Sequence, residues 1–172
     1  ILMSPVKGFA DAIDVGIFIL ILGGFLNIVT KTGALETGVK VLVQKLKGKE
    51  LILIPILMFI FSIGGTTYGM LEETVGFYAL LAATMVVAGM DTIVASAVVL
   101  LGAGCGVLGS TVNPFANGAA IAALPDSVTV NHGVIILIGI ALWFVSLAIS
   151  IFFVMIYAGK VQRDKGSTFL SL

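Results

Sequence analysis

The chain has 172 residues, of which 59% are hydrophobic and only 10% charged, and its mean hydropathy is +1.21. Soluble domains carry roughly 25% charged residues, so this composition points to a lipid bilayer as solvent. Nine basic and nine acidic residues give zero formal net charge, which leaves no basic face for nucleic acid and no acidic tail.

No basic n-region or small-residue cleavage site precedes the opening Ile1-Leu2-Met3-Ser4-Pro5, so no signal peptide is expected. Residues to about Ala12 predict a short interfacial segment, because Lys7, Asp11 and Asp14 are too charged for the bilayer interior. The first span is predicted over 13–30, near the ~20 residues that cross a hydrocarbon core. Its Gly16, Gly23 and Gly24 permit close helix packing, and Asn27 near its end reads as interfacial. Residues 31–50 then concentrate Lys31, Lys40, Lys45, Lys47 and Lys49 around an apolar stripe of Leu35, Val39, Leu42 and Leu46. That pattern predicts an amphipathic connector lying on the membrane surface, facing the cytoplasm by its lysines.

Residues 51–90 contain an apolar run to Ile63, a polar stretch Gly64-Gly65-Thr66-Thr67-Tyr68-Gly69, then Met70-Leu71-Glu72-Glu73 and a second apolar run from Thr74. Two full spans meeting in an outer turn would produce this pattern, and so would two half-length helices forming a re-entrant hairpin. Arms shorter than the ~17–25 residues of a typical span favour the hairpin. Residues 92–124 read as one discontinuous span, interrupted at Gly109-Ser110-Thr111-Val112-Asn113-Pro114-Phe115-Ala116-Asn117-Gly118. Lipid satisfies none of the backbone groups that Pro114 and its flanking glycines release, so such a break persists where protein, ions or a polar cavity supply partners. The spacing Gly104-Cys105-Gly106-Val107-Leu108-Gly109 also fits a dinucleotide fingerprint, but it lacks the preceding strand and the acidic ribose partner. No cofactor is therefore expected. The lone Cys105 reads as a small packing residue.

The loop from Pro125 to His132 has no lysine or arginine and is expected to face outward, with His132 a solvated bystander. The last span is predicted over 133–158, with Trp143 packed inside it. Lys160, Arg163 and Lys165 mark a cytoplasmic end, so eight of the nine basic residues fall on one side. This parity holds whether 51–90 is a hairpin or two spans.

Two polar elements thus interrupt hydrophobic sequence, as in secondary carriers whose broken helices meet near the bilayer midplane. Gly65, Thr66, Thr67, Ser110, Thr111, Asn113, Pro114 and Asn117 are the candidate substrate or ion site. The hydroxyl and amide groups suit a carboxylate or a hard cation, and Thr67, Ser110 and Asn113 are the expected donors to a sodium ion. Glu72 and Glu73 admit two roles, a coupling-proton or cation site and a cap on the helix that follows. No His/Glu metal cluster and no Ser/His/Asp arrangement occurs, so an enzyme is not expected.

The stretch Gly64 to Glu73, together with Leu101-Gly102-Ala103-Gly104, Gly109 to Ala116 and Gly118, resembles the first half of the YfcC-like branch of the anaerobic C4-dicarboxylate carriers. The resemblance covers nearly the whole chain and places it in the ion transporter superfamily of inverted-repeat carriers. It implies an all-α membrane protein of the inner membrane, often a homodimer in lipid. In such carriers a re-entrant hairpin and an unwound helix from each repeat enclose a small-molecule substrate and a coupling sodium ion or proton. The substrates it implies are C4-dicarboxylates or amino acids. Only one repeat is present, so either the chain is a piece of a longer protein or a partner chain supplies the second repeat. The alternative is a non-transporting membrane subunit whose glycines and broken helix serve packing alone.

Overall fold

A computed structural model describes residues 3–11, 13–46, 48–125 and 127–169, and for some helical residues, Glu72 among them, the backbone alone. The expectations that touch Ala12, Lys47 and Asp126 lie outside the described residues. Those described form helices and no strand: α1 (Ser4–Asp11), α2 (Ile13–Lys31), α3 (Ala34–Lys45), α4 (Glu50–Tyr68), α5 (Val75–Val87), α6 (Thr92–Leu108), α7 (Ala119–Ala122) and α8 (His132–Arg163). The chain is an all-α membrane protein, and its elements follow the predicted order with two shifts. The helical run after Leu51 continues through Gly64-Gly65-Thr66-Thr67, so the chain turns at Gly69–Leu71, five residues later than its glycines suggest. Beyond the break, α-helix resumes for Ala119–Ala122 only, after a π-helical turn over Pro114–Gly118.

The late turn has a local cause. Gly69 sits at φ +80°, and its N–H bonds back to the Gly65 carbonyl at 3.2 Å, a left-handed cap that an L side chain at residue 69 would strain, while the Met70 N–H reaches the Gly64 carbonyl at 3.2 Å. The 310 turn Glu72–Thr74 then starts α5, whose Phe77, Leu81 and Met85 face inward.

The core lies between α4, α5 and α6, where Leu57, Met58, Phe61, Leu81, Val98 and Val99 are fully buried. Glycines decide how close α4 and α6 come. A Cβ on Gly106 would stand 2.1 Å from the Ser62 carbonyl oxygen, and one on Gly65 2.3 Å from that of Ala103. Gly102 likewise abuts the Met58 backbone, so the pairs Met58–Gly102 and Ser62–Gly106 advance together and the two helices run parallel. Near-contact of backbones is the packing that small residues permit in lipid.

α8 runs antiparallel to α6. Its Gly139 meets Ser110, Trp143 meets Gly109, Ser150 lies 3.2 Å from the Cys105 sulfur, and Tyr157 reaches Asp91. The opposite face of α8, with Leu137, Phe144, Phe152, Phe153 and Ile156, is exposed, as expected of a helix solvated by lipid.

Outside the spans, at the basic end, Asp91 ties three elements together. Its carboxylate caps α6 by accepting from the Val94 N–H at 2.9 Å, and it also accepts from the Tyr157 hydroxyl at 2.5 Å and the Thr168 hydroxyl at 2.7 Å. Burial pushes this carboxyl up, but the bonds from Tyr157, Thr168, Val94 and Ile93 outweigh it and hold it below the usual carboxylate range. A depressed folded value adds stability above the unfolded value of about 3.9, and that stability is lost as pH falls through the folded value. Asp91→Asn is therefore expected to lower the melting temperature at neutral pH, by about 1–3 kcal/mol of lost bonding. The difference from the parent should close once the pH passes below the folded value. Equal melting at pH 7 would refute the tie.

Candidate functional site

The α4 tip and the α6 break meet through hydrogen bonds between residues far apart in sequence. The Thr66 hydroxyl donates to the Gly109 carbonyl at 2.7 Å and lies 3.3 Å from the Thr111 hydroxyl. Thr111 answers with its own N–H and hydroxyl, both 3.1 Å from the Thr66 carbonyl oxygen. Thr66 is buried, so this pairing supplies partners to a break that lipid would leave unsatisfied.

Asn113 organises the other side of the break and is only 1% exposed. Its Oδ1 accepts from the Phe115 N–H at 2.9 Å and the Ala116 N–H at 3.3 Å, and its Nδ2 donates to the Ser110 hydroxyl oxygen at 3.1 Å. The Ser110 hydroxyl in turn donates to the Val107 carbonyl at 2.5 Å. The Asn117 Nδ2 donates to the Ser110 and Thr111 carbonyls at 2.9 and 3.1 Å. Pro114 fits the first position of the π-helical turn, where its missing N–H costs nothing. A Cβ on Gly69 would lie 3.0 Å from both terminal atoms of Asn113, so the turn after α4 is pressed against this amide.

Between turn and break opens a cavity of about 520 Å³, lined by Gly69, Leu71, Glu73, Val107, Asn113, Phe115 and Ala116. Small-molecule sites commonly measure 300–1,000 Å³. The Oε2 of Glu73 is buried and has no hydrogen-bond partner among the described residues. No basic residue occurs between Lys49 and Lys160 in sequence, so none from that stretch stands near it.

The predicted residues thus separate. Thr66, Ser110, Thr111, Asn113, Pro114 and Asn117 come together with Glu73 around one junction. Gly65 belongs to the helix crossing, where absence of a side chain is its contribution. Thr67 turns away: its hydroxyl donates to the Ile63 carbonyl at 2.7 Å within its own helix, and it lines a second, apolar cavity of about 470 Å³ against α3. The side chain of Glu72 lies outside the description. Sequence reasoning passed over Gly69, Phe115 and Asp91. For Asp91 the signal was available, an acidic residue directly before the apolar run Thr92-Ile93-Val94-Ala95. Trp143 does pack inside its helix, beside Gly109, and its Nε1 is buried without a hydrogen-bond partner among the described residues.

Residues 2–171 match the family described as DcuC, C4-dicarboxylate anaerobic carrier. The chain is 33% identical over 158 residues to the Escherichia coli K12 protein named "Putative basic amino acid antiporter YfcC", an alignment covering 91% of this chain and 30% of that protein. It is 38% identical over 112 residues to an uncharacterised protein of Haemophilus influenzae, covering 65% of this chain and 22% of that one. The chain therefore spans less than a third of the length of these relatives. No solved structure matches it. With a family match over nearly all of its length and a hydrophobic helical fold around a broken helix, the chain belongs to the C4-dicarboxylate anaerobic carrier family.

Proposed function

We propose that this chain is one repeat of an ion-coupled secondary carrier moving a small carboxylate-bearing metabolite across a prokaryotic cytoplasmic membrane. The family's description supports a C4-dicarboxylate as that metabolite, and the name of the Escherichia coli relative supports an amino acid. Within this reading the coupling ion is sodium or a proton, the carrier is a homodimer, and residues outside this chain complete the site.

The observation that carries the reading is the depth of the junction. Gly109 packs on Trp143, which at 1.5 Å per residue lies about 17 Å along α8 from His132 and about 26 Å from Lys160. The polar break therefore falls inside the apolar length of α8, at a level where non-helical backbone needs protein or a polar cavity beside it. This depth supports a re-entrant hairpin over 51–90. So does the length of α5, whose 13 residues fall short of a ~30 Å core, whereas α4, with 19 residues, is itself long and apolar enough to cross, contrary to the short arm expected there. Helix ends and broken segments meeting beside a cavity at such a depth are how secondary carriers build their sites.

The test is transport by the full-length protein in proteoliposomes. Saturable uptake of labelled succinate, aspartate or lysine, accelerated by an imposed sodium or proton gradient, is the expected result. The packing-subunit alternative is favoured by how completely the break satisfies its own polar groups. It predicts assembled protein with uptake no greater than that of empty liposomes, and that outcome would overturn the carrier reading.

A further inference from the structure

We infer that the apolar cavity between α3 and α4 is a site for an anionic phospholipid, with one acyl chain lying in the cavity and the phosphate against Lys45. The cavity occupies the face of α4 turned away from α6 and the break, so the inference holds whether the chain transports or only packs.

The space itself is the first observation. Val39, Leu42 and Leu46, spaced at i, i+3 and i+7, seat α3 on the core, yet a void of about 470 Å³ remains between α3 and α4. A Cβ on Gly38, which lines this void, would meet no atom within 4 Å. Packed protein keeps few voids larger than a water molecule, so a volume of this size is room for a guest.

The walls suit a hydrocarbon chain. Ile60, Ile63 and Phe77 line the void, and the Thr67 hydroxyl is turned to the Ile63 and Gly64 carbonyls of its own helix. Ile60 and Ile63 continue an exposed apolar face of α4 that begins at Ile52, so the void opens outward, to the side that lipid solvates.

The charge beside it has one sign. Residues 31–50 carry five lysines against two glutamates, and Lys40, Lys45 and Lys49 are exposed. On α3, Ala34, Gly38, Leu42 and Lys45 follow one another at helical spacing, so the stripe that lines the void runs into a cation. From Lys45 back to Ala34 is about 17 Å at 1.5 Å per residue, close to the ~15 Å of hydrocarbon in one leaflet. Lysine clusters beside a membrane helix draw anionic headgroups, with about a fivefold gain in binding per lysine. A zwitterionic headgroup offers such a cluster no net charge.

The test uses the purified full-length protein, delipidated in detergent and melted with phosphatidylglycerol, with phosphatidylcholine of the same chains, or with glycerol phosphate. Phosphatidylglycerol should raise the melting temperature at concentrations at least fivefold below phosphatidylcholine, and glycerol phosphate, which has no chains, should have no effect. Gly38→Leu fills the void and should remove the preference although every lysine stays in place. Lys45→Gln should reduce it about fivefold. Equal action of the two lipids on the parent would overturn the inference, and so would a Gly38→Leu protein that folds and keeps the preference. Full preference in Lys45→Gln is equally fatal, and decides the matter if Gly38→Leu does not fold. Glycerol phosphate acting as well as the lipid would reduce the site to an anion on lysines, without a chain. Silence toward both lipids would assign the void to another part of the full-length protein.

Discussion

Gly106→Ala is expected to cost about 3 kcal/mol or more and to disperse the protein on size-exclusion chromatography, although it adds a single methyl group. The new Cβ would meet the Ser62 carbonyl oxygen at 2.1 Å and the Thr66 nitrogen at 2.8 Å, both of them backbone atoms that cannot rotate aside. Relief requires α4 to move off α6. That movement would also part Thr66 from Gly109 and Thr111, so the break would lose its partners along with the crossing. Gly104→Ala is the internal control. Two residues earlier on α6, its Cβ would point into open space, and alanine in a helix is favoured over glycine by about 1 kcal/mol. Melting temperatures in detergent should fall sharply for the first variant and hold or rise for the second. Two variants that melt alike would show that the helices do not cross at Gly106.

Asn113→Ala is expected to abolish uptake while leaving membrane insertion and abundance close to the parent's. The amide touches four partners at once: two backbone N–H groups, the Ser110 hydroxyl and, by van der Waals contact, the Gly69 turn. Its loss uncaps the π-helical turn and leaves buried groups unpaired, at a cost of about 1–3 kcal/mol. That is enough to loosen the break without unfolding a helical assembly held by its core. The Phe115 and Ala116 wall of the cavity would then be unfixed, and a binding surface misplaced by about 1 Å forfeits much of its function. Quantitative immunoblotting beside an uptake assay distinguishes the outcomes. Normal uptake would remove Asn113 from the site, whereas absent protein would move it to the folding core.

The positions of the long helices and of the break were legible in the chain because each is written in local composition. Long apolar runs favour helix, so residues 13–30 and 133–158 lie within the helices α2 and α8, and the lysine-rich 31–50 contains α3. Asn113-Pro114 and the glycines around it announced a broken helix, because proline and glycine act on backbone that is already nearby. The turn after α4 was misplaced by five residues for a related reason. Glycines at residues 64 and 65 looked like a local break, yet in the fold they serve a helix crossing, and only Gly69 takes a left-handed conformation.

What the chain's own order could not reveal is how the polar groups are shared. Thr66 and Thr67 are neighbours of the same type, and nothing local distinguishes them. The crossing of α4 on α6 sends the hydroxyl of Thr66 to a carbonyl 43 residues away and returns that of Thr67 to its own helix. Likewise, Ser110, Asn113 and Asn117 read as free donors in sequence, but folding engages them with one another and with backbone carbonyls of the break. Sequence alone determined the solvent, the long apolar helices and the place of the break, since hydropathy and backbone restriction are properties of contiguous residues. Tertiary structure decided which polar groups of the α4 tip and the break pair with one another, since hydrogen bonds are satisfied in space between helices that only packing brings together.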